Sequence, residues 1–169
     1  MDEIENIITR RSIRSFNNKK IDETIIRKII ESGVSAPSAG NQQPWHFIVI
    51  DDKKIFKKIT KFHPNASFLV NADKAILVCG DLSKEKFKGY WILDCGACTE
   101  NILLAAHFLG VGSCWLGIYP REDRIKETKK LLNIPDHVIP FSLIALGYTD
   151  EKPKKIDRYQ KDRIHKNKW

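Results

Sequence analysis

The chain contains no long apolar run and no self-sufficient catalytic motif. Its longest apolar stretches, such as AILVCG, are far too short to cross a bilayer. No basic segment followed by an apolar stretch opens it, so no signal peptide is expected, and the expected compartment is the cytoplasm. GxSxG, HExxH and the P-loop are all missing, which removes three self-contained catalytic designs. Histidine is sparse. His46, His63, His107, His137 and His165 are scattered without ligand-spaced partners, so each reads as a surface or satisfied interior residue. Cysteine is limited to Cys79, Cys95, Cys98 and Cys114. The first and last lie in apolar, strand-like segments, where a reduced thiol acts as a small hydrophobe. Cys95 and Cys98 form CGAC, the thioredoxin-type spacing, but inside a long helical pattern rather than between a strand and a helix. A zinc site would need a second ligand pair, so close helix packing is the reading, and no metal is expected.

The 169 residues are the size of one domain, so a single domain over 1–169 is expected, with an extended tail over 149–169. Apolar residues make up 42% and charged residues 30%, a soluble globular composition. The net charge of +8 raises the question of nucleic acid, but it is spread over four segments, and acids interleave in most, as in REDRIKETKK. No RNA-binding aromatic motif, helix-turn-helix signature or zinc finger accompanies it. A basic nucleic-acid-binding module is therefore the runner-up, and neither nucleic acid nor membrane is an expected partner.

Periodicity predicts helices over 2–9, from Asp22 to Gly33, over Lys54–Lys61, Tyr90–Leu109 and Pro120–Leu132. Met1 would open the first. Asp22 is the N-cap of the second, Ile21 can staple to Ile26, and Gly33 is read as the stop. WHFIVID, AILVCGD, GSCWLGIY and VIPFSLIALGY read as strands, and SAPSAGNQQPW as a loop. The alternation argues α/β or α+β around one sheet. A Rossmann fingerprint is not supported: the Gly-x-Gly of GVGSCWLG follows a helix, with no third glycine in register. In the long helix, Leu93, Ala97, Leu104 and Phe108 share one face, while Ile92, Leu103, Ala106 and Leu109 fall elsewhere. A helix apolar on most sides is buried on most sides, which favours a partner chain.

With no catalytic side chain evident, the chemistry is expected from a bound cofactor. Two polar segments could hold one. RRSIRSF, residues 10–16, sets Arg10, Arg11 and Arg14 around Ser12, a donor set suited to a phosphate monoester. The same arginines could instead be solvated or paired with acids. The second segment carries Ser38, Asn41 and Gln43 beside Pro37, Pro44 and Trp45, with amides suited to the edge of a planar heterocycle.

The two segments, with GxGSCWxG at Gly110–Gly117 and LGYxxEKPK at Leu146–Lys154, resemble the nitroreductase family of flavin enzymes in content and order. The resemblance implies an α+β sandwich, a mainly antiparallel sheet flanked by helices, built as an intertwined homodimer around FMN. It implies that Arg10, Arg11, Ser12 and Arg14, with Lys155 and Arg158, take the phosphate and ribityl chain. Pro37, Ser38, Ala39, Asn41 and Gln43 would reach the ring from the other subunit. Cys114, Trp115, Leu116 and Gly117 would lie along it, with an N–H of Leu116 or Gly117 near N5. NAD(P)H would deliver hydride, and nitroaromatics, quinones or similar acceptors would remove the electrons by ping-pong kinetics. A flavin reductase or small-metabolite dehydrogenase on the same FMN site is the alternative enzyme. The sequence departs from many relatives at Ala39, where a second serine is common. It also departs at 81–89, where larger relatives carry a helical excursion.

Overall fold

Strands β1 (Trp45–Ile50), β2 (Lys74–Asp81), β3 (Gly112–Gly117) and β4 (Val138–Gly147) form one antiparallel sheet in the order β1–β2–β4–β3. The computed structural model describes residues 2–169, so Met1 lies outside the described residues. The helices are α1 (Glu3–Thr9), α2 (Glu23–Val34), α3 (Lys53–Phe62), α4 (Trp91–Phe108) and α5 (Glu122–Leu132). The fold is the expected α+β sandwich. No helix among the described residues is long and apolar enough to cross a membrane.

The strands are uninterrupted apolar runs because both faces of the sheet are covered. Strand side chains alternate between faces. Along β2, Ile76 and Val78 therefore join the core under α2 and α4, while Ala75, Leu77 and Cys79 join the core under α3 and α5. β4 divides the same way, with Ile144 and Leu146 on one face and Leu143 and Ala145 on the other.

The helix starts follow their caps. Asp2, Asp22 and Asp52 each accept a backbone N–H of the first turn, at 2.7–2.8 Å. Ile21 and Ile26 are both buried in one cluster, as the staple predicts. Pro120, read as the start of α5, instead closes a cis Tyr119–Pro120 peptide, and the helix begins at Glu122. Gly33 is not a stop but lies inside α2. A β-carbon there would meet Ile102 of α4 at 2.8 Å, so the glycine sets how closely the two helices approach. Cys98 lies beside it, which is the packing role expected of CGAC. Burial pushes the Cys95 thiol upward and the Cys98 thiol to about 12, so neither is a thiolate near neutrality. α4 is buried through Cys95, Cys98, Ile102 and Ala106. The face carrying Leu93 and Phe108 is open, with these residues 66% and 58% exposed.

Candidate functional site

The arginine segment runs beside the free edge of the sheet. Ser12 bridges Ser113 in parallel, and Ile13 N–H donates to the Ser113 carbonyl at 2.9 Å. Asn17 N–H continues the path to the Tyr148 carbonyl at 2.8 Å. Gly147 allows this crossing: a β-carbon there would lie 2.7 Å from the Phe16 ring. Because Ser113 turns its carbonyl outward, strand alternation turns Trp115 and Gly117 outward too, and Cys114 and Leu116 toward β4. The Ile118 N–H, next on the inward side, duly donates to the Phe141 carbonyl. Of the two N–H groups expected near a cofactor, Gly117 faces the open edge, whereas Leu116 belongs to the ladder.

Two pockets border the arginine segment. One, of about 490 Å³, is lined by Arg14, His63, Pro64, Asn65, Ser67, Phe68, Cys114–Gly117 and Arg124. No carboxylate lines it, while two guanidiniums do. Arg14 lies over the Phe68 ring, 6.0 Å from its centroid, and belongs to none of the ion pairs among the described residues. The second, of about 780 Å³, is where the tail returns to the arginine segment and brings Lys155 and Arg158 to Arg10 and Arg11. Arg11 donates through Nη1 to the carbonyls of Ile8 and Arg10, while its Nε and Nη2 are buried without partners among the described residues. Arg10 donates to Glu100 at 3.2 Å, and Lys155 pairs with Glu5 at 3.1 Å. The reading of paired arginines thus applies to Arg10 alone. Cys114 joins the two pockets chemically. Burial raises its thiol pKa, while Arg14, the Ser12 hydroxyl and Arg10 act in the opposite direction.

The segment Pro37–Gln43 lines neither pocket. It is held against the start of α4 by two residues that sequence reasoning passed over. Asp94 accepts Ala39 N–H at 2.9 Å and Gln42 Nε2 at 2.6 Å. Gln42 in turn accepts the N–H groups of Lys86 and Phe87. Ser38 accepts the Gln43 N–H at 3.0 Å, and both Asn41 and Gln43 have positive φ, +54° and +46°. Ser38, Asn41 and Gln43 are thus placed by the loop's own bonds. A polar pair fifty-two residues apart leaves no local pattern, so Gln42 and Asp94 were invisible to spacing.

His63 and Arg124 are further residues missed. His63 is buried but not satisfied, contrary to the expectation for the histidines: Nδ1 has no partner among the described residues. Its Nε2 lies 3.1 Å from the Gly117 carbonyl and 3.2 Å from Arg124 Nη1. Arg124 Nη1 donates to the same carbonyl at 2.7 Å. Burial first, and Arg124 second, lower the His63 pKa, so the imidazole is held neutral.

Comparison with known proteins identifies the family. The family model described as "Nitroreductase family" matches residues 7–67 and 63–148. A protein of Archaeoglobus fulgidus, provisionally named an NADH dehydrogenase/NAD(P)H nitroreductase, is 48% identical over 167 residues, 96% of each chain. A crystal structure of a similarly named protein from Parabacteroides distasonis superposes with a TM-score of 0.95 at 36% identity, over 99% of this chain and 98% of that one. An FMN-dependent nitroreductase from Clostridium difficile superposes with a TM-score of 0.91 at 29% identity, over 98% and 99%.

Proposed function

Because the chain belongs to the nitroreductase family, we propose that it is an FMN-dependent oxidoreductase carrying electrons from NAD(P)H to small acceptors such as nitroaromatics and quinones. One observation carries the reading: an open β3 edge bordered by guanidiniums, with no carboxylate in the pocket beside it. The donor set suits FMN. Arg10, Arg11, Lys155 and Arg158 set four cations against the one carboxylate, Asp157, that lines their pocket, and Arg11 Nε and Nη2 are buried without partners among the described residues, a set that matches a phosphate dianion. A terminal phosphate, rather than a diphosphate that must continue past the cluster, favours FMN over FAD.

In this reading Arg10, Arg11, Lys155 and Arg158 take the phosphate, and Ser12 and Arg14 the ribityl side. Cys114, Trp115, Leu116 and Gly117 border the ring, with the Gly117 N–H as the donor at N5. Pro37, Ser38, Ala39, Asn41 and Gln43 serve the partner subunit's cofactor, because they lie away from their own chain's pocket. Bound FMN supplies the redox chemistry, accepting hydride from NAD(P)H and passing electrons to the second substrate. The chain's contribution is positioning, positive charge and access. Nicotinamide and acceptor use one pocket in turn, which makes the expected kinetics ping-pong. The homodimer is supported by the open face of α4 and by Ile4, Ile7, Ile156, Tyr159, Ile164 and Trp169, all large apolar side chains at least half exposed.

The test is the visible spectrum of the purified protein, identification of the released flavin, and NAD(P)H oxidation assayed with nitroaromatic, quinone and free-flavin acceptors. Parallel double-reciprocal lines with a nitroaromatic or quinone support the reading. A colourless protein that takes up no added FMN overturns it. Turnover with free flavin alone moves the assignment to a flavin reductase.

A further inference from the structure

Arg124 presents a cation whose neighbours do not neutralise it. Its Nη1 is spent on a carbonyl and a neutral imidazole, its Nε is buried without a partner, and it belongs to none of the ion pairs among the described residues. The nearby carboxylate of Asp123 is engaged by Arg121 at 3.4 Å. His63 explains how the cation is tolerated. Its Nε2 can accept from Arg124 or donate to Gly117, not both, so the imidazole acts as a spacer rather than a counter-ion. A carboxylate in that place would cancel the charge; a neutral ring leaves it available to the pocket. The carbonyl that Arg124 grips belongs to Gly117, the outward-facing residue at the free end of β3, and Arg14 lines the same pocket.

We propose that Arg124, steadied by His63 and the Gly117 carbonyl, is a positioning and charge-supplying residue that favours the reduced over the oxidised cofactor in this pocket. The inference rests on the FMN reading. Hydride transfer brings two electrons and one proton from NAD(P)H, which leaves as NAD(P)+. The flavin ring thereby gains one net negative charge until a second proton is added. A fixed, partly buried cation stabilises that product more than the neutral oxidised ring. His63 has no proton-transfer role in this account. It keeps the guanidinium aimed and uncompensated.

The test compares wild type with Arg124→Gln and Arg124→Lys. The Kd for oxidised FMN comes from fluorescence quenching and the midpoint potential from equilibration with a reference dye; together they give the Kd for reduced FMN. For Arg124→Gln, affinity for reduced FMN should fall at least tenfold more than affinity for oxidised FMN, a potential drop of about 30 mV for a two-electron couple. Arg124→Lys should recover most of the difference. Equal weakening of both redox forms would mean that Arg124 only holds the loop, and it overturns the proposal, as does an unchanged ratio. Should Arg124→Gln fail to fold, Arg124→Met keeps the aliphatic stem, drops the charge and carries the same comparison. A wild-type protein that binds no FMN overturns the cofactor reading before any variant is measured. A wild type that binds FMN beside a variant with unchanged ratio overturns the role of Arg124 alone.

Discussion

The two polar segments differ in how far the chain completes them. In Pro37–Gln43 the chain meets its own demands: Asp94 and Gln42 tie the loop to α4 and to the Lys86–Phe87 backbone, and Ser38 closes the turn onto Gln43. In Arg10–Arg14 the backbone is fixed beside β3, but Arg11 and Arg14, unlike the Glu100-paired Arg10, are not satisfied. Arg11 has two buried nitrogens without partners among the described residues, and Arg14 meets the Phe68 ring and the Cys114 thiol but no carboxylate in any ion pair among those residues. A buried donor without an acceptor costs about 1–3 kcal/mol, more when charged. The first segment is therefore a finished scaffold, ready to be presented to another molecule. The second is half of a binding site, and its stability is expected to rise when the other half arrives.

The largest expected effect breaks the unfinished side. Replacing Arg10 and Arg14 together with alanine removes two charge-assisted interactions worth about 1.5–3 kcal/mol each. FMN affinity should fall at least about a hundredfold, as read by fluorescence titration. The cofactor-free protein should melt nearly unchanged, because the Arg10–Glu100 pair, with its half-exposed glutamate, and the long Arg14–Phe68 ring contact are weak interactions. Unchanged FMN affinity would remove the assignment of Arg10 to the phosphate and of Arg14 to the ribityl side.

Asp94→Ala should do the reverse. It orphans Ala39 N–H and Gln42 Nε2 in a buried setting, so a loss of about 3 kcal/mol is expected in urea unfolding of the cofactor-free protein. If Asp94→Ala left stability intact and lowered FMN binding alone, the contrast between scaffold and site would be wrong.

The same contrast governs what could be read from the sequence. Strands and helices were legible because burial on both sheet faces writes long apolar runs, and because Asp22 caps where α2 begins; the caps at Asp2 and Asp52 emerged only in the structure. The arginine segment was legible because three cations within five residues have few structural uses. Gly33 was misread: a glycine near a helix end looks like a stop, and its contact with Ile102 depends on tertiary packing. His63 and Arg124 were not legible, because sixty-one residues separate them and neither belongs to a motif. The open face of α4 was seen as apolar, but its exposure could not be read from periodicity. Periodicity shows which residues share a face, not what covers it.

A smaller effect sharpens the scaffold side. Asn41 sits at φ +54°, where an alanine is strained by about 1–2 kcal/mol. Asn41→Ala therefore mixes backbone strain with the lost amide, whereas Asn41→Gly removes the amide without that strain. Asn41→Gly should melt within a few degrees of wild type and still shift the potential or affinity of bound FMN. Asn41→Gly with wild-type FMN behaviour would confine Asn41 to turn geometry. Replacing Cys95 and Cys98 together with alanine should cost roughly 1 kcal/mol per site through lost packing, with turnover preserved. A large loss of turnover in a folded double variant would revive a thiol role.

The smallest expected effect lies in the pH dependence of the unfinished side. His63 has a pKa below its ordinary value of 6.5, because burial and then Arg124 oppose its charge. As pH falls through about 6.5, the unfolded chain takes up a proton at this imidazole while the folded chain does not. The unfolded state then binds more protons, so unfolding free energy decreases on acidification and stops decreasing only below the folded pKa. Its contribution is at most about 1.4 kcal/mol per pH unit. His107, lowered by burial and by Arg10 and Arg11, adds a slope of the same sign. Asp73 and Asp81, whose carboxyls lie below their ordinary value of 3.8, weaken the fold only at lower pH. Between pH 7 and 5 the histidines therefore dominate. Urea unfolding of the cofactor-free protein should show stability falling over this window, and His63→Gln should reduce the fall while leaving the His107 part. Parallel curves for the two proteins would mean that His63 is as easily charged in the fold as in water, and that Arg124 is not pressed against it.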